Sequence, residues 1–535
     1  MKLAHLGADS DPRLVHLAGL GWHWLASLLV ASLAAWTLAR HPTVGARAPA
    51  WALLAGGLFA LNPHAVFTVG WVAAQNALVS GVLLLAAMRA YLAASFDGAV
   101  ARRRCAPRWL AIAVAAWLGA LFARESASVF AVLILLCDVG FGGWGHLRRR
   151  WWVHALVWGL TIGYLAWRLL VFPRAGAPSI YFTPPEGPAY LAWAVARLVH
   201  LLFAQVFYSP LFLGLDGALT ERALTLAVLG GLLALVLAGY VLATRRVPGR
   251  WVWPLWTVAA FAPVVPVFVM PHFAYVPAAA YAVMVTLLLL GLTRRLRIVL
   301  GLVVLIGTVG THYLYRDVWR GIVRAEQLVF ADITEQDGTP PPGTHVVFVN
   351  LPVAAIYAPV ALRTAWQQPD LTGHVLTFAP HPLQMAVPFG ISRAGERDLV
   401  LTIDPPGYFA GVAGEMLIGG MRRGDDLPAG ATVTGELFDA IVEERGPAGI
   451  TRLRFSFHQP LDSPHLRIYV SSAERPAWRL RFDASAPGGV ATPDAAENLA
   501  WQVRHAEALE ARARFFRIHG FYQRLVRSDV LLTGE

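Results

Sequence analysis

Arg124 and Glu125 stand side by side in "LGALFARESASVFAVLILLCD", between two apolar runs. A guanidinium forks onto two oxygens of a phosphate, and a carboxylate can deprotonate a hydroxyl or ligate a metal. Together they offer the two halves of a transfer from a phosphate leaving group. A plainer reading stands beside this one. Arg124 would snorkel to lipid headgroups and pair with Glu125, which would be an acid favoured at the start of the next helix. His16 and His23 are seven residues apart, two helical turns, and so share a helix face. They could bind phosphate, hold a divalent cation with a third ligand, or hydrogen-bond to neighbouring helices. Arg168 in "YLAWRLLVF" needs a partner near the end of its apolar run, either a phosphate or a structural acid. His272 in "MPHFAY" follows Pro263, Pro266 and Pro271, which break the preceding run. Irregular backbone at membrane depth is tolerated where it lines a cavity, and prolines also simply kink helices.

The elements that must position these residues are apolar blocks. The chain has 535 residues, 57% hydrophobic and 14% charged; soluble domains carry about 25% charged residues. Up to about Arg316 the hydrophobicity comes in blocks of near-spanning length, and beyond it polar, Pro- and Gly-punctuated sequence takes over. Candidate spans run from Leu14–Leu38 to Ile298–Tyr315. Tyr190–Leu213 is set apart as broken or interfacial, because it contains Arg197, His200, Gln205 and Pro210. The expected fold is a polytopic α-helical membrane domain of about ten or eleven helices over residues 1–316. An exit helix and Pro-rich linker (317–342), a β-rich α+β domain (343–490) and a basic helical tail (491–535) follow.

The net charge of +11 does not point to nucleic acid, since much of it lies in short turns between apolar blocks. "RHPTVGAR", "RRRCAPR", "HLRRR", "RRVPGR" and "RRLR" alternate with loops nearly free of lysine and arginine. Cytoplasmic loops collect basic residues, so this set is expected inside, and the C-terminal domain outside the cytoplasm. Arg124, Glu125, the 62–76 loop with Asn62 and His64, the 173–189 loop and Pro271–Tyr275 then gather at the outer water boundary. Residue 1 also falls outside, although "MKLAHLGADSDPR" is no signal peptide, so an upstream crossing is expected to be missing from the gene model. The two cysteines, Cys105 and Cys137, lie before the polar region, which therefore folds without disulfides.

Four stretches carry a resemblance: "VHLAGLGWHWLASLLV", "LFALNPHAVFTVGWVAAQNALVSGVLLLAAMRAYL", "LFARESASVFAVLILLCD" and "FAPVVPVFVMPHFAYVPAAAYAVMV". In order and spacing they resemble the GT-C superfamily of glycosyltransferases that use polyprenyl-phosphate sugars. The nearest branch is the bacterial relatives of the transmembrane and tetratricopeptide-repeat O-mannosyltransferases. Asn62-Pro63 stands where His-Pro is usual, Arg124 where a lysine is usual, and His272 where an arginine is common. The resemblance covers roughly the first 290 residues. It implies transfer of a hexosyl or mannosyl group from a polyprenyl-phosphate donor to an acceptor protein or glycan, at the outer face of a bacterial inner membrane. Glu125 would be the catalytic base or a metal ligand. Arg124, His16, His23, Arg168, His272, Asn62 and His64 would bind substrate. The family's acid-bearing first outer loop precedes Met1, and Phe67 stands where a second-loop glutamate is frequent. The alternative is a non-catalytic membrane protein that keeps the fold and binds lipid-linked glycan or a partner; transport is less favoured, since the membrane half shows no internal repeat.

Past the membrane blocks, "HVVFVNLP", "VAAIYAPVALRTAWQ" and "HVLTFAP" read as one β-α-β unit. "DLVLTIDP", "TVTGELFDAIVEE", "TRLRFSFHQPL", "HLRIYVSS" and "AWRLRFDA" alternate like strands of a small antiparallel sheet or sandwich. No G-x-S-x-G or phosphate-loop motif occurs there, so no chemistry is assigned to it. "RARFFRIHGFYQRLVR" mixes arginine with aromatics, as an interfacial helix does, or packs on the sheet.

Overall fold

The apolar blocks become helices because that conformation satisfies every backbone polar group within its own segment. The computed structural model describes residues 12–41, 44–71, 74–97, 106–171, 187–208, 223–266, 271–381, 384–410, 427–483, 487–492, 495–514 and 517. The basic stretch 102–105, most of the 173–189 loop, residues 209–213 and most of the basic tail lie outside these. Contacts divide the chain into two units that meet between Tyr315 and Arg316.

Unit 1 is helical. Its elements are α1 (Pro12–Leu38), α2 (Ala48–Ala60), α3 (Ala65–Gly70), α4 (Gln75–Phe96), α5 (Pro107–Ala123), α6 (Phe130–Cys137), α7 (Gly143–Arg149), α8 (Trp151–Val171), α9 (Pro188–Phe207), α10 (Ala223–Ala243), α11 (Val252–Phe261), α12 (Tyr275–Gly291) and the first part of α13 (Arg294–Gln336). Among the described residues, seven helical segments are long and apolar enough to cross a membrane. Two of them, α4 and α12, form the centre and are mostly buried. By contrast α10 and the first part of α13 expose leucines, isoleucines and valines. A helix apolar all round and mostly uncovered is stable only in an apolar solvent.

Within the Tyr190–Leu213 stretch, the described part belongs to a continuous 20-residue helix, α9, long enough to cross; Pro210 lies outside the described residues. Its polar residues do not interrupt it because they point inward. Arg197, His200 and Gln205 are all buried, and Arg197 Nε donates to the Val265 carbonyl at 2.7 Å. The helix stops at Tyr208, whose φ of 51° is left-handed.

Unit 2 is built on two sheets. In the first, of order β2-β1-β8-β9, β1 (His345–Val349) lies parallel to β2 (Thr372–Val375) and β8 (Leu466–Val470). Helix α14 (Ala358–Ala365) lies between β1 and β2 in the chain, completing the expected β-α-β unit. The second sheet is antiparallel, of order β3-β4-β7-β6-β5: β3 (Phe389–Arg393), β4 (Asp398–Ile403), β5 (Thr432–Thr434), β6 (Phe438–Arg445) and β7 (Ile450–Phe457). Here there is a correction: "HLRIYV" does not join the antiparallel set but pairs with β1. β1 is apolar without alternation over Val346–Val349 because both its faces are covered. Val346 and Phe348 pack with Val329, Ile333 and Leu362, whereas Val347 and Val349 pack with Leu399, Leu401 and Phe455 of the second sheet. A short strand β9 (Trp478–Arg479) and helix α15 (Ala495–Arg504) follow.

At one margin of the first sheet, His345 Nδ1 lies 3.4 Å from His374 Nε2. Burial, then the neighbouring His345, hold the His374 imidazole below its ordinary pKa, against a smaller opposite pull from Glu436. A depressed folded-state pKa means that the folded state binds fewer protons than the unfolded one. Unit 2 should therefore keep the full contribution of this site above about pH 6.5 and lose it as the pH falls below. Thermal unfolding of the full chain across that range should show it, with a shallower dependence in His374→Asn.

Candidate functional site

The site is assembled where α5 ends and α12 begins. Helix α5 stops at Arg124, whose extended backbone (φ −160°, ψ 130°) turns the chain into a 3-10 segment, Glu125–Val129. A second 3-10 turn, Pro271–Ala274, precedes α12 and carries His272 and Phe273. The Arg124 guanidinium lies over the Phe273 ring, 4.8 Å from its centre. Arg124 and His272 line one small cavity of about 20 Å³, together with Ser80, Ser126, Phe273 and Tyr275. That volume holds a single water-sized group, such as one phosphate oxygen, and not a hexose. His272 Nδ1 is buried with no hydrogen-bond partner among the described residues. The ring is flanked by Trp71 at 5.7 Å between centres. Two of the residues singled out from sequence thus meet, although they come from segments far apart in the chain.

Tyr275 ties a third residue to this place. His23 Nε2 lies 3.1 Å from the Ala60 carbonyl, which can only accept, so that nitrogen carries the proton. His23 Nδ1 is then the acceptor for the Tyr275 hydroxyl at 2.9 Å. Gly81 makes room for the tyrosine, since a Cβ there would sit 2.8 Å from its ring. His23 is thus a positioning residue behind the cavity wall. His16, on the same helix, is exposed and does not join it. The paired-histidine metal reading is therefore corrected: both His23 nitrogens are engaged within the protein, and His16 is elsewhere. Among the described residues, no group of three or more His, Cys, Asp or Glu is placed to hold a metal ion.

No family model, curated protein or solved structure matches the chain. What the site can do rests on its own residues. Glu125 does not line the cavity; its carboxylate pairs with Arg168 at 3.7 Å, both side chains being about two-fifths exposed. The structure thus gives Arg168 the acid partner that the sequence left open between acid and phosphate. Asn62 and His64 form a structural knot. Asn62 Oδ1 accepts the His64 backbone N–H at 2.9 Å, and His64 Nε2 donates to the Ala204 carbonyl at 3.1 Å. His64 Nδ1 then accepts from Tyr315 at 2.9 Å, and both Asn62 and His64 are buried. They join α2, α9 and α13 rather than facing the cavity, which corrects their reading as ligand contacts. Sequence reasoning missed Ser80, Ser126 and Tyr275. A serine in the middle of an apolar span, and a tyrosine opening "YVPAAAY", were the available signals.

A larger cavity, about 310 Å³, belongs to unit 2 and holds none of the sequence candidates. Arg320, Arg324 and Arg514 line it together with Asp317, Glu507 and Glu510, so it offers an anion no net charge.

Proposed function

We propose that unit 1 is the membrane part of a glycosyltransferase of GT-C type. It moves a sugar from a polyprenyl-phosphate donor to an acceptor protein or glycan at the outer face of a bacterial inner membrane, with unit 2 on that same side. The observation that carries this is the meeting of Arg124 with His272, whose Nδ1 lacks a partner among the described residues, in one cavity lined also by hydroxyls. An arginine fork suits the phosphate that departs with the lipid, and the imidazole and hydroxyls suit its remaining oxygens. Uncovered apolar helices offer the isoprenoid chain a compatible surface. Glu125, adjacent to Arg124, is the carboxylate nearest in sequence for deprotonating an acceptor hydroxyl.

One observation favours a second reading. Glu125 is engaged by Arg168 and stands outside the cavity lining. On that reading the same site holds lipid-linked glycan without transferring it. The two separate cleanly when the full chain is reconstituted with a labelled polyprenyl-phosphate hexose and membrane acceptors. Label in an acceptor fraction supports transfer. Retained donor without label transfer supports the binding reading, and no retention overturns both.

A further inference from the structure

Asp138, within the Glu125–Arg149 segment, lies about 20 Å along the helix from Arg124. There α6 runs into a π-helical turn, Asp138–Gly142, and Gly143, with φ 72°, redirects the chain into α7. A buried polar joint fixes this turn. Asp138 is fully buried, and its Oδ2 accepts from the Tyr91 hydroxyl at 2.8 Å and from His154 Nε2 at 3.0 Å. His146 Nε2 lies 3.5 Å from Oδ1, and the His146 ring stacks on Phe96. Arg150 is buried and donates to the Ser95 carbonyl at 2.7 Å. Drawing His146 and Arg150 inward, four residues apart on one face, leaves Arg148 and Arg149 on the exposed side. Trp144 and Trp151 go with them, 69% and 67% exposed.

Two further turns are brought alongside by glycine contacts. Gly140 lies so close to Val252 that a Cβ would approach its methyl group to 2.3 Å, and Gly249 packs on the Phe141 ring. This places exposed Arg245 and Arg246, with exposed Trp251, beside the first turn. Gly291, whose Cβ would meet the Ala243 carbonyl at 2.2 Å, brings in exposed Arg294 and Arg295. None of residues 139–152, 243–252 or 290–297 is acidic. The result is a ledge of six exposed arginines and exposed tryptophans; of the carboxylates at this end among the described residues, Asp138 is sealed beneath it and Asp97 is paired with Arg40 and Arg89.

We propose that this end of unit 1 is a binding surface for the headgroups of anionic phospholipids. Arginines fork onto lipid phosphates, while tryptophans settle at headgroup depth with their rings against the acyl boundary. A zwitterionic lipid carries its own cation, so a ledge with this excess of arginine favours lipids with net negative charge. The buried joint keeps α7 against the bundle and so holds the arginines in place for the headgroups.

The test uses the full chain purified from a bilayer of equimolar phosphatidylglycerol and phosphatidylcholine, with retained lipids quantified by native mass spectrometry. Phosphatidylglycerol should be enriched roughly tenfold at low salt, the enrichment falling as salt is raised. The variant R148Q/R149Q/R245Q/R246Q should lose it, while lysine at the same four positions should keep most of it. These side chains are exposed, so the helical signal and detergent unfolding midpoint of both variants should match the parent. No enrichment in the parent, or undiminished enrichment in the glutamine variant, overturns the proposal. So does displacement of the lipid by millimolar inorganic phosphate, which would make the ledge a site for free phosphate.

Discussion

Arg124→Ala should lower sugar transfer from a polyprenyl-phosphate donor about a hundredfold in the reconstituted full chain. The residue is half-buried at a helix end, stacked on Phe273 and beside a histidine whose Nδ1 has no partner among the described residues. Removing a charged phosphate contact in such a site costs about 3 kcal/mol, which corresponds to about two decades in rate. Arg124→Lys keeps the charge but not the fork, and should recover only part of the activity. Glu125→Gln then divides the two functional readings. As an ion-pair partner of Arg168 at a half-exposed place, its loss costs at most about 1 kcal/mol of stability and leaves donor binding unchanged. As the base, its loss removes transfer while donor binding persists. Unaltered turnover in both Arg124→Ala and Glu125→Gln would remove this cavity from the reaction.

The site was partly legible in the sequence because charges are rare in apolar blocks, so Arg124, Glu125 and His272 stood out by type alone. Their partners did not. The packing of the Pro271–Ala274 turn against the end of α5 sets Arg124 on Phe273, and no local pattern records that contact. Asn62 and His64 were misread for a related reason: a polar residue near a span end looks the same whether it meets a ligand or caps a turn. The continuity of α9 was not legible because hydropathy averages around the helix. Its Arg197, His200 and Gln205 lie within a turn or two of one another and face inward, and averaging hides that. In unit 2 the strands were visible from their alternation, but "HLRIYV" was assigned to the wrong sheet. Pairing with β1 depends on contacts made more than a hundred residues away, and no local pattern records them.

The same inward-facing logic gives the largest expected stability effect, at Asp332 on α13. Its carboxylate is fully buried in unit 2. Oδ1 accepts from Arg475 Nε at 2.8 Å and from Gln336 at 2.7 Å, and Oδ2 accepts the Ala477 backbone N–H at 2.9 Å. Arg475 is itself buried and reaches Glu497 of α15 at 2.7 Å. One acid therefore joins α13, the loop between β8 and β9, and α15. In Asp332→Ala the arginine loses a buried counter-charge and a backbone donor loses its acceptor, at a cost of about 3–5 kcal/mol. For a unit of this size the unfolding midpoint should drop by roughly 10 °C, with faster proteolysis of unit 2 in the full chain. Glu335, three residues on, supplies the internal comparison. It bonds Arg504 and His505 at the surface, and Glu335→Ala should cost less than about 1 kcal/mol. Because most of the Asp332 penalty is the stranded guanidinium, Asp332→Leu combined with Arg475→Met should cost clearly less than the sum of the two single changes. Strict additivity in that cycle would mean that the two groups do not depend on one another, and the joint would then be held by packing alone.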